Sequence, residues 1–187
     1  MGCKGSKSKT ISHKNIDFLL NNTKFSREKI DELYQGFIEE CPNGKLGKKF
    51  LEEKYCELYP NGSPVKFCHY LFKALDEKNK GFLTFTQFIM ALSDLEGDLN
   101  TQYKLLFRVY DVNGNKIVDL KEMTQIIKAV DELRGASNKN EQPAESKATI
   151  IFNLFNKPID KAKDQGLNEE EFIRACSDSS IGMILKP

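Results

Sequence analysis

The sequence of 187 residues contains no tryptophan, only two histidines and no long apolar run. A membrane-spanning helix needs about 18 or more consecutive apolar residues, so none is expected. The 28 basic and 27 acidic residues leave a net charge of +1, without the basic excess of a nucleic-acid-binding protein. Five scattered cysteines, without a C-x-x-C spacing, favour a reducing compartment over a disulfide framework or a zinc site. We therefore expect a cytoplasmic protein that binds no nucleic acid.

Catalytic motifs are missing as well. Cys68 and His69 are neighbours on a predicted helix, so their side chains point in different directions and form no nucleophile–base pair. Neither of the glycine-rich phosphate-binding motifs, GxxxxGK[ST] and GxGxxG, occurs in the chain. We expect that the protein is not an enzyme.

The N-terminus matches the myristoylation pattern M-G-x-x-x-[ST], with Gly2 as the acylated residue. One myristoyl chain binds membranes only weakly, so a second signal is needed. Palmitoylation of Cys3 and the lysines that precede Asp17 are candidates for that signal. The sequence thus predicts an acylated basic segment over residues 1–22 that holds the protein on the inner leaflet of a membrane. The alternative is a Lys/Ser-rich tail that begins with glycine by chance.

An internal repeat occupies the rest of the chain. Four copies consist of an amphipathic stretch, a short segment rich in Asp, Asn and Gly, and a second amphipathic stretch. In the clearest copy the middle segment is the twelve residues from Asp111 to Glu122, which is the layout of an EF-hand. We predict an all-α fold of four EF-hand units arranged as two pairs, over residues 23–97 and 98–187.

The third loop carries a full set of calcium ligands. Ca²⁺ takes six to eight oxygens, which an EF-hand loop supplies from alternate residues and from a bidentate carboxylate at position 12. Lys116 replaces the usual glycine at position 6, where a left-handed backbone costs a residue with a side chain about 1–2 kcal/mol. We expect a Ca²⁺ site of modest affinity, with Mg²⁺ as a competitor, built from Asp111, Asn113, Asn115, the carbonyl of Ile117, Asp119 and Glu122.

The second loop, which starts at Asp76, keeps the EF-hand frame without the ligands. Lys78 and Lys80 occupy positions 3 and 5, and Gln87 occupies position 12. Two ammonium groups repel a divalent cation and the bidentate carboxylate is missing, so we expect no calcium here. The first loop, Glu39 to Phe50, is altered further, and we expect it to be a structural partner of the second.

The fourth loop has four residues too many when it is counted from Asn156 to Glu171, a span of 16. Counting twelve residues back from Glu171 places Asp160 at position 1 and Asp164 at position 5. Position 3 then has no ligand, and Gly166 comes one place late. The candidate ligands of this distorted loop are Asp160, Asp164 and Glu171, and the alternative is that it binds no cation.

Several motifs together resemble the neuronal calcium sensor family over nearly the whole chain. They are Gly2 before a Lys-rich stretch, Tyr34-Gln35-Gly36-Phe37 followed by the Cys41-Pro42 pair, Tyr59-Pro60-Asn61-Gly62 and Ala91-Leu92-Ser93. The resemblance implies a compact, usually myristoylated protein in which calcium exposes a hydrophobic groove for a target helix. The implied target is an amphipathic helix of a channel, receptor kinase, cyclase or lipid kinase. The altered second and fourth loops put the family's usual stoichiometry of two or three calcium ions in doubt.

Apolar side chains crowd the N-terminal half of the chain. Individually most of them are core residues, but an EF-hand pair opens its core on one side to accept an amphipathic helix. A second hypothesis is that the tail, Ile181 to Leu185, fills the groove when no target is bound. The candidate groove residues are Leu33, Phe37, Phe50, Tyr55, Phe72, Phe85, Phe88 and Met90.

The leading functional prediction is a membrane-tethered Ca²⁺ sensor, monomeric or weakly dimeric, that regulates a target protein by helix rearrangement. The alternative is a calcium-independent or Mg²⁺-loaded EF-hand scaffold, favoured by the damaged loops. A calcineurin-B-like regulatory subunit is a third option.

Overall fold

A computed structural model describes residues 10–135, 142–157 and 165–187 of the chain. Over these residues the fold is all-helical, as predicted, and no helix there is long and apolar enough to span a bilayer. The helices are α1 (His13–Asn22), α2 (Arg27–Glu40), α3 (Lys48–Leu58), α4 (Val65–Leu75), α5 (Phe85–Leu95), α6 (Leu99–Tyr110), α7 (Leu120–Leu133), α8 (Ala144–Leu154), α9 (Glu169–Ser177) and α10 (Ser179–Leu185).

Helix α1 lies within the segment that the sequence analysis assigned to the membrane anchor. The Ser12 side chain caps it by accepting the Asn15 N–H at 3.3 Å. Ile16 and Leu19 are buried as the helix packs against α2 and α5. Residues 13–22 are therefore part of the folded body.

Four helix–loop–helix units follow, built from α2–α3, α4–α5, α6–α7 and α8–α9. In every unit the second helix is capped by the residue at loop position 9, as counted in the sequence analysis. The residues at position 8 form two short antiparallel bridges. One joins Leu46 to Leu83 through N–O distances of 2.9 and 2.8 Å, and the other joins Val118 to Leu167 through 2.9 and 3.0 Å. Positions 8 and 9, as counted from the sequence, therefore have equivalent places in all four units.

A joint between the loop after α3 and the end of α7 connects the first two units to the third. The Ser63 N–H donates to the Glu132 carbonyl at 2.8 Å, and Lys66 pairs with the Glu132 carboxylate at 2.6 Å. A Cβ atom at Gly62 would lie 1.7 Å from the Leu133 carbonyl oxygen. Only glycine lets the two backbones approach this closely.

The C-terminal helix α10 packs on α9 and α7. Ile181 and Leu185 are buried there, while Met183 stays 69% exposed. The hydroxyl of buried Tyr110 donates to the Leu185 carbonyl at 2.9 Å, and burial holds the pKa of this phenol well above its usual value. The hypothesis that the tail fills an N-terminal groove is thus wrong for its buried residues, which pack on the C-terminal half.

Candidate metal centre

The third loop joins the end of α6 to the start of α7 through two left-handed residues. Gly114 has φ +75° and Lys116 has φ +67°, so Lys116 adopts the strained conformation predicted from its position. The Asp111 carboxylate stabilises this path because it accepts the N–H groups of Gly114 at 2.9 Å, Asn115 at 3.1 Å and Lys116 at 2.9 Å. The first predicted ligand therefore also organises the loop backbone.

The two asparagines continue this pattern along the loop. The Asn113 side-chain oxygen accepts the Asn115 N–H, and the Asn115 oxygen accepts the Ile117 N–H, both at 2.9 Å. Short polar side chains favour such local turns because their oxygen reaches the backbone two residues further on. The oxygens at positions 1, 3 and 5 are consequently held close to the loop backbone.

Glu122 at position 12 is the most enclosed of the predicted ligands, with 5% of its surface exposed. Its carboxylate accepts the N–H groups of Asn113 at 2.9 Å and Asp119 at 3.1 Å, and the Asp119 carboxylate accepts the Glu122 N–H at 2.7 Å. Burial, together with the negative charges of Asp119 and Asp111, raises the pKa of Glu122. A bound divalent cation would offset this unfavourable concentration of negative charge.

The donor set of this loop fits a hard cation, since it offers three carboxylates, two amide oxygens and a backbone carbonyl. In the part of the chain that the structure describes, no three His, Cys, Asp or Glu side chains converge as they do around a metal ion. The loop carboxylates accept backbone N–H groups instead.

The second loop follows the same backbone path without the ligands. Asn79 has φ +50° and Gly81 has φ +75°, at the positions where the third loop is left-handed. The Asp76 carboxylate is buried and accepts the N–H groups of Lys80 at 3.0 Å and Gly81 at 2.7 Å. The carboxylate at position 1 is therefore held by N–H groups of the loop's own backbone.

Gln87 links the two ends of the second loop through hydrogen bonds. Its side-chain oxygen accepts the Thr84 N–H at 3.1 Å, and its amide nitrogen donates to the Leu75 carbonyl at 3.3 Å. The residue in the place of the bidentate carboxylate thus ties the end of α4 to the start of α5. In the first loop, Cys41 at position 3 is buried in the hydrophobic core.

The fourth loop contains an ion pair that the sequence analysis missed. The Lys157 ammonium lies 2.8 Å from the Glu171 carboxylate, and both side chains are mostly buried. Although burial acts in the opposite direction, this pairing and the Asn168 N–H lower the pKa of Glu171. Asp160 and Asp164 lie outside the described residues. Because Lys157 precedes the twelve-residue frame, the ligand pattern contained no signal for it.

Gly166 is explained by its neighbour in the third loop. A Cβ atom at this glycine would lie 2.2 Å from the Val118 carbonyl oxygen. The bridge between Val118 and Leu167 therefore requires a residue without a side chain at this point. The glycine that comes one place late for an EF-hand serves the contact between two loops.

The predicted groove residues do not line one groove but lie in the core and in three separate clefts. Phe72 and Phe85 are buried in the core. Tyr55 lines a cleft of about 260 Å³ beside Lys186 and Pro187, and Met90 lines another of about 350 Å³ beside Phe18. A third cleft, of about 310 Å³, has Glu32, Glu39 and Glu40 in its lining and contains the other predicted residues, Leu33, Phe37, Phe50 and Phe88.

The predicted acylation sites, Gly2 and Cys3, lie outside the described residues. Comparison with known proteins shows that the chain is similar to S-modulin of Aquarana catesbeiana. The two are 32% identical over 174 residues, which span 90% of this chain and 84% of S-modulin. No protein-family model matches the chain.

Proposed function

The chain belongs to the neuronal calcium sensor family and is a calcium sensor of the recoverin type, and on that premise we propose that it is a membrane-tethered sensor with one regulatory cation site, in the third loop. The observation that carries the proposal is the organised ligand set from Asp111 to Glu122. Acylation at Gly2 and Cys3 would supply the tether.

The four helix–loop–helix units act in this proposal as four EF-hands in two pairs, over residues 23–97 and 98–187. The Leu46–Leu83 and Val118–Leu167 bridges support the pairing. They occur at the same position of each loop, next to the residue that caps the second helix. A cation in the third loop therefore acts on a unit that is already joined to the fourth.

The third loop would hold Ca²⁺ with the side chains of Asp111, Asn113, Asn115, Asp119 and Glu122 and the carbonyl of Ile117. The ion supplies a positive charge that attracts carboxylates from both ends of the loop. Asp111 follows α6 directly, whereas Asp119 and Glu122 belong to the start of α7. Drawing these groups together changes the angle between α6 and α7 and so passes occupancy on to the helices.

In this proposal the fourth loop works without calcium. The Lys157 ammonium provides Glu171 with the positive partner that a metal ion would otherwise supply. A cation would have to displace this lysine from a mostly buried site. The first and second loops also work without calcium in this proposal. Cys41 is buried in the first loop, and the Gln87 amide hydrogen-bonds across the second.

The proposed partner is an amphipathic helix of a target protein. The cleft lined by Leu33, Phe37, Phe50 and Phe88 suits the apolar face of such a helix. The three glutamates in its lining favour a helix with basic residues beside the apolar ones.

A calcium-independent scaffold is the second candidate. The second loop favours this function, because Asp76 and Gln87 form their hydrogen bonds with other groups of the protein. In that function the third loop would remain an unused or Mg²⁺-filled site.

Calorimetric titration with Ca²⁺ in millimolar Mg²⁺ separates the two candidates. We expect one site, together with an increase in the fluorescence of an apolar-surface dye, and we expect Glu122→Gln to lose both responses. Glu145→Gln is the matched control because Glu145 is exposed on α8, away from the loop. A wild-type protein without heat or dye response under these conditions would favour the scaffold, and a Glu122→Gln variant that still binds would place the site elsewhere.

A further inference from the structure

The first and second loops meet in a group of exposed lysines. Lys45, Lys78 and Lys80 are exposed, and the Leu46–Leu83 bridge brings the two loops side by side. The Lys45 ammonium lies 4.4 Å from the centre of the half-buried Phe82 ring. We call this group the cationic apex and define it by Lys45, Lys78, Lys80 and Phe82.

The acidic residues of the second loop do not neutralise these lysines. The Asp76 carboxylate is buried, where it accepts two backbone N–H groups. The Glu77 carboxylate pairs instead with Arg108, at 3.0 Å. Among the residues that the structure describes, none of the three lysines of the apex forms an ion pair.

The apex is positively charged where the corresponding part of the third loop has neutral oxygen donors. Lys78 and Lys80 occupy positions 3 and 5, where the third loop has the oxygen donors Asn113 and Asn115. The backbone is left-handed at positions 4 and 6 in both loops. A loop framework that elsewhere gathers oxygens for a cation therefore presents ammonium groups to solvent here, and those attract anions.

We propose that the cationic apex is a calcium-independent contact with anionic phospholipid headgroups. Lysine ammonium groups sit on flexible side chains. Without fixed acceptors around them, they suit a laterally mobile layer of anionic headgroups. Phe82 beside Lys45 adds an aromatic ring, a type of side chain suited to the boundary between headgroups and acyl chains. The carboxylates of an acidic protein segment would be attracted to the lysines but would gain nothing from the negative face of the ring.

This inference deepens the proposed membrane attachment, but it concerns a different part of the chain from the acylated segment. Its test therefore uses the full-length chain without acylation, in a calcium chelator. Neither lipidation at Gly2 and Cys3 nor calcium binding contributes to the measurement. A failure of the apex leaves the calcium titration unaffected, so the two proposals fail separately.

Co-sedimentation with vesicles of phosphatidylcholine containing one-third phosphatidylserine tests the apex. We expect Lys78→Gln/Lys80→Gln to weaken binding about 25-fold, since each lysine near an anionic surface contributes about a factor of five. Lys104→Gln/Lys128→Gln changes the net charge equally at exposed positions on α6 and α7, and should alter binding by less than about twofold. Binding should also fall steeply with added salt.

Three results would overturn the proposal. Equal losses in the two double variants would show a general charge effect, and no loss in Lys78→Gln/Lys80→Gln would remove the apex from the interface. Full competition by a soluble poly-glutamate peptide, together with an unchanged affinity in Phe82→Ala, would identify an acidic protein segment as the partner.

Discussion

Lys116 combines backbone strain with a positive charge in the proposed calcium loop. Its φ of +67° is unfavourable for any residue with a Cβ atom, by about 1–2 kcal/mol. Its N–H donates to the Asp111 carboxylate at 2.9 Å, so the strained conformation is part of the ligand arrangement. The loop therefore keeps an unfavourable residue at the point where glycine would remove both the strain and the charge.

We predict that Lys116→Gly raises the Ca²⁺ affinity about twofold, because one positive charge near the bound ion is lost. It should also stabilise the calcium-free protein by up to about 1 kcal/mol, since relief of strain exceeds the entropy gained by the unfolded chain. Calorimetry measures the affinity, and chemical denaturation in chelator measures the free energy of unfolding.

Lys116→Ala is the control for this prediction, because it removes the same charge and keeps the left-handed strain. We expect it to raise the affinity by a similar factor without stabilising the calcium-free protein. If alanine stabilises the protein as much as glycine does, backbone strain at position 116 is not the cause.

At the scale of helices and loops, much of the architecture follows from the sequence. Position 8 of each loop, as numbered from the sequence, forms a bridge even where the ligands are lost. The four bridge residues are Leu46, Leu83, Val118 and Leu167. This agreement arises because an apolar residue at position 8 and a capping residue at position 9 are needed whether or not a cation binds.

Other features of the elements left no such pattern in the sequence. Helix α1 was not predicted because its apolar residues directly follow a lysine-rich stretch and belong to no copy of the repeat. The Lys157–Glu171 pair depends on where α8 ends, which the loop frame does not specify. The position of α10 depends on which of several apolar surfaces is free, and that is a property of the assembled fold.

We predict that Leu185→Ala lowers the free energy of unfolding by about 2–5 kcal/mol, because Leu185 is fully buried at the end of α10. Met183→Ala is the matched control on the same helix, since Met183 is 69% exposed, and it should change stability by less than about 0.5 kcal/mol. Denaturant unfolding in chelator measures both. Equal, small effects would mean that α10 is not docked in solution.

At the scale of the whole molecule, α4 is attached to the third unit at both ends. At the C-terminal end of α4, Lys73 donates to the Val112 carbonyl and Arg108 donates to the Ala74 carbonyl, each at 2.9 Å. At its N-terminal end, Lys66 pairs with Glu132 near the end of α7. A change in the angle between α6 and α7, as we propose for calcium binding, would have to move α4 or break one of these attachments. The N-terminal half would then respond to the third loop.

Gly62 is the residue at which this coupling can be tested. Its backbone passes so close to α7 that an added Cβ would lie 1.7 Å from the Leu133 carbonyl oxygen, a backbone atom that cannot rotate away. We predict that Gly62→Ala separates the joint and destabilises the protein by at least about 2 kcal/mol, within the range of overpacking substitutions. It should also reduce the calcium-dependent change in hydrogen exchange of α4.

Gly36→Ala is the control for the joint, because a Cβ there meets nothing within 4 Å. Gly36 lies inside α2, so alanine should stabilise the protein by about 0.5–1 kcal/mol and leave the exchange of α4 unchanged. Calcium binding itself should survive in both variants, since neither glycine touches the third loop. If Gly62→Ala is as stable as the wild type and α4 still responds to calcium, the signal reaches the N-terminal half without the Gly62–Leu133 contact, and the attachments of Lys73 and Arg108 are sufficient.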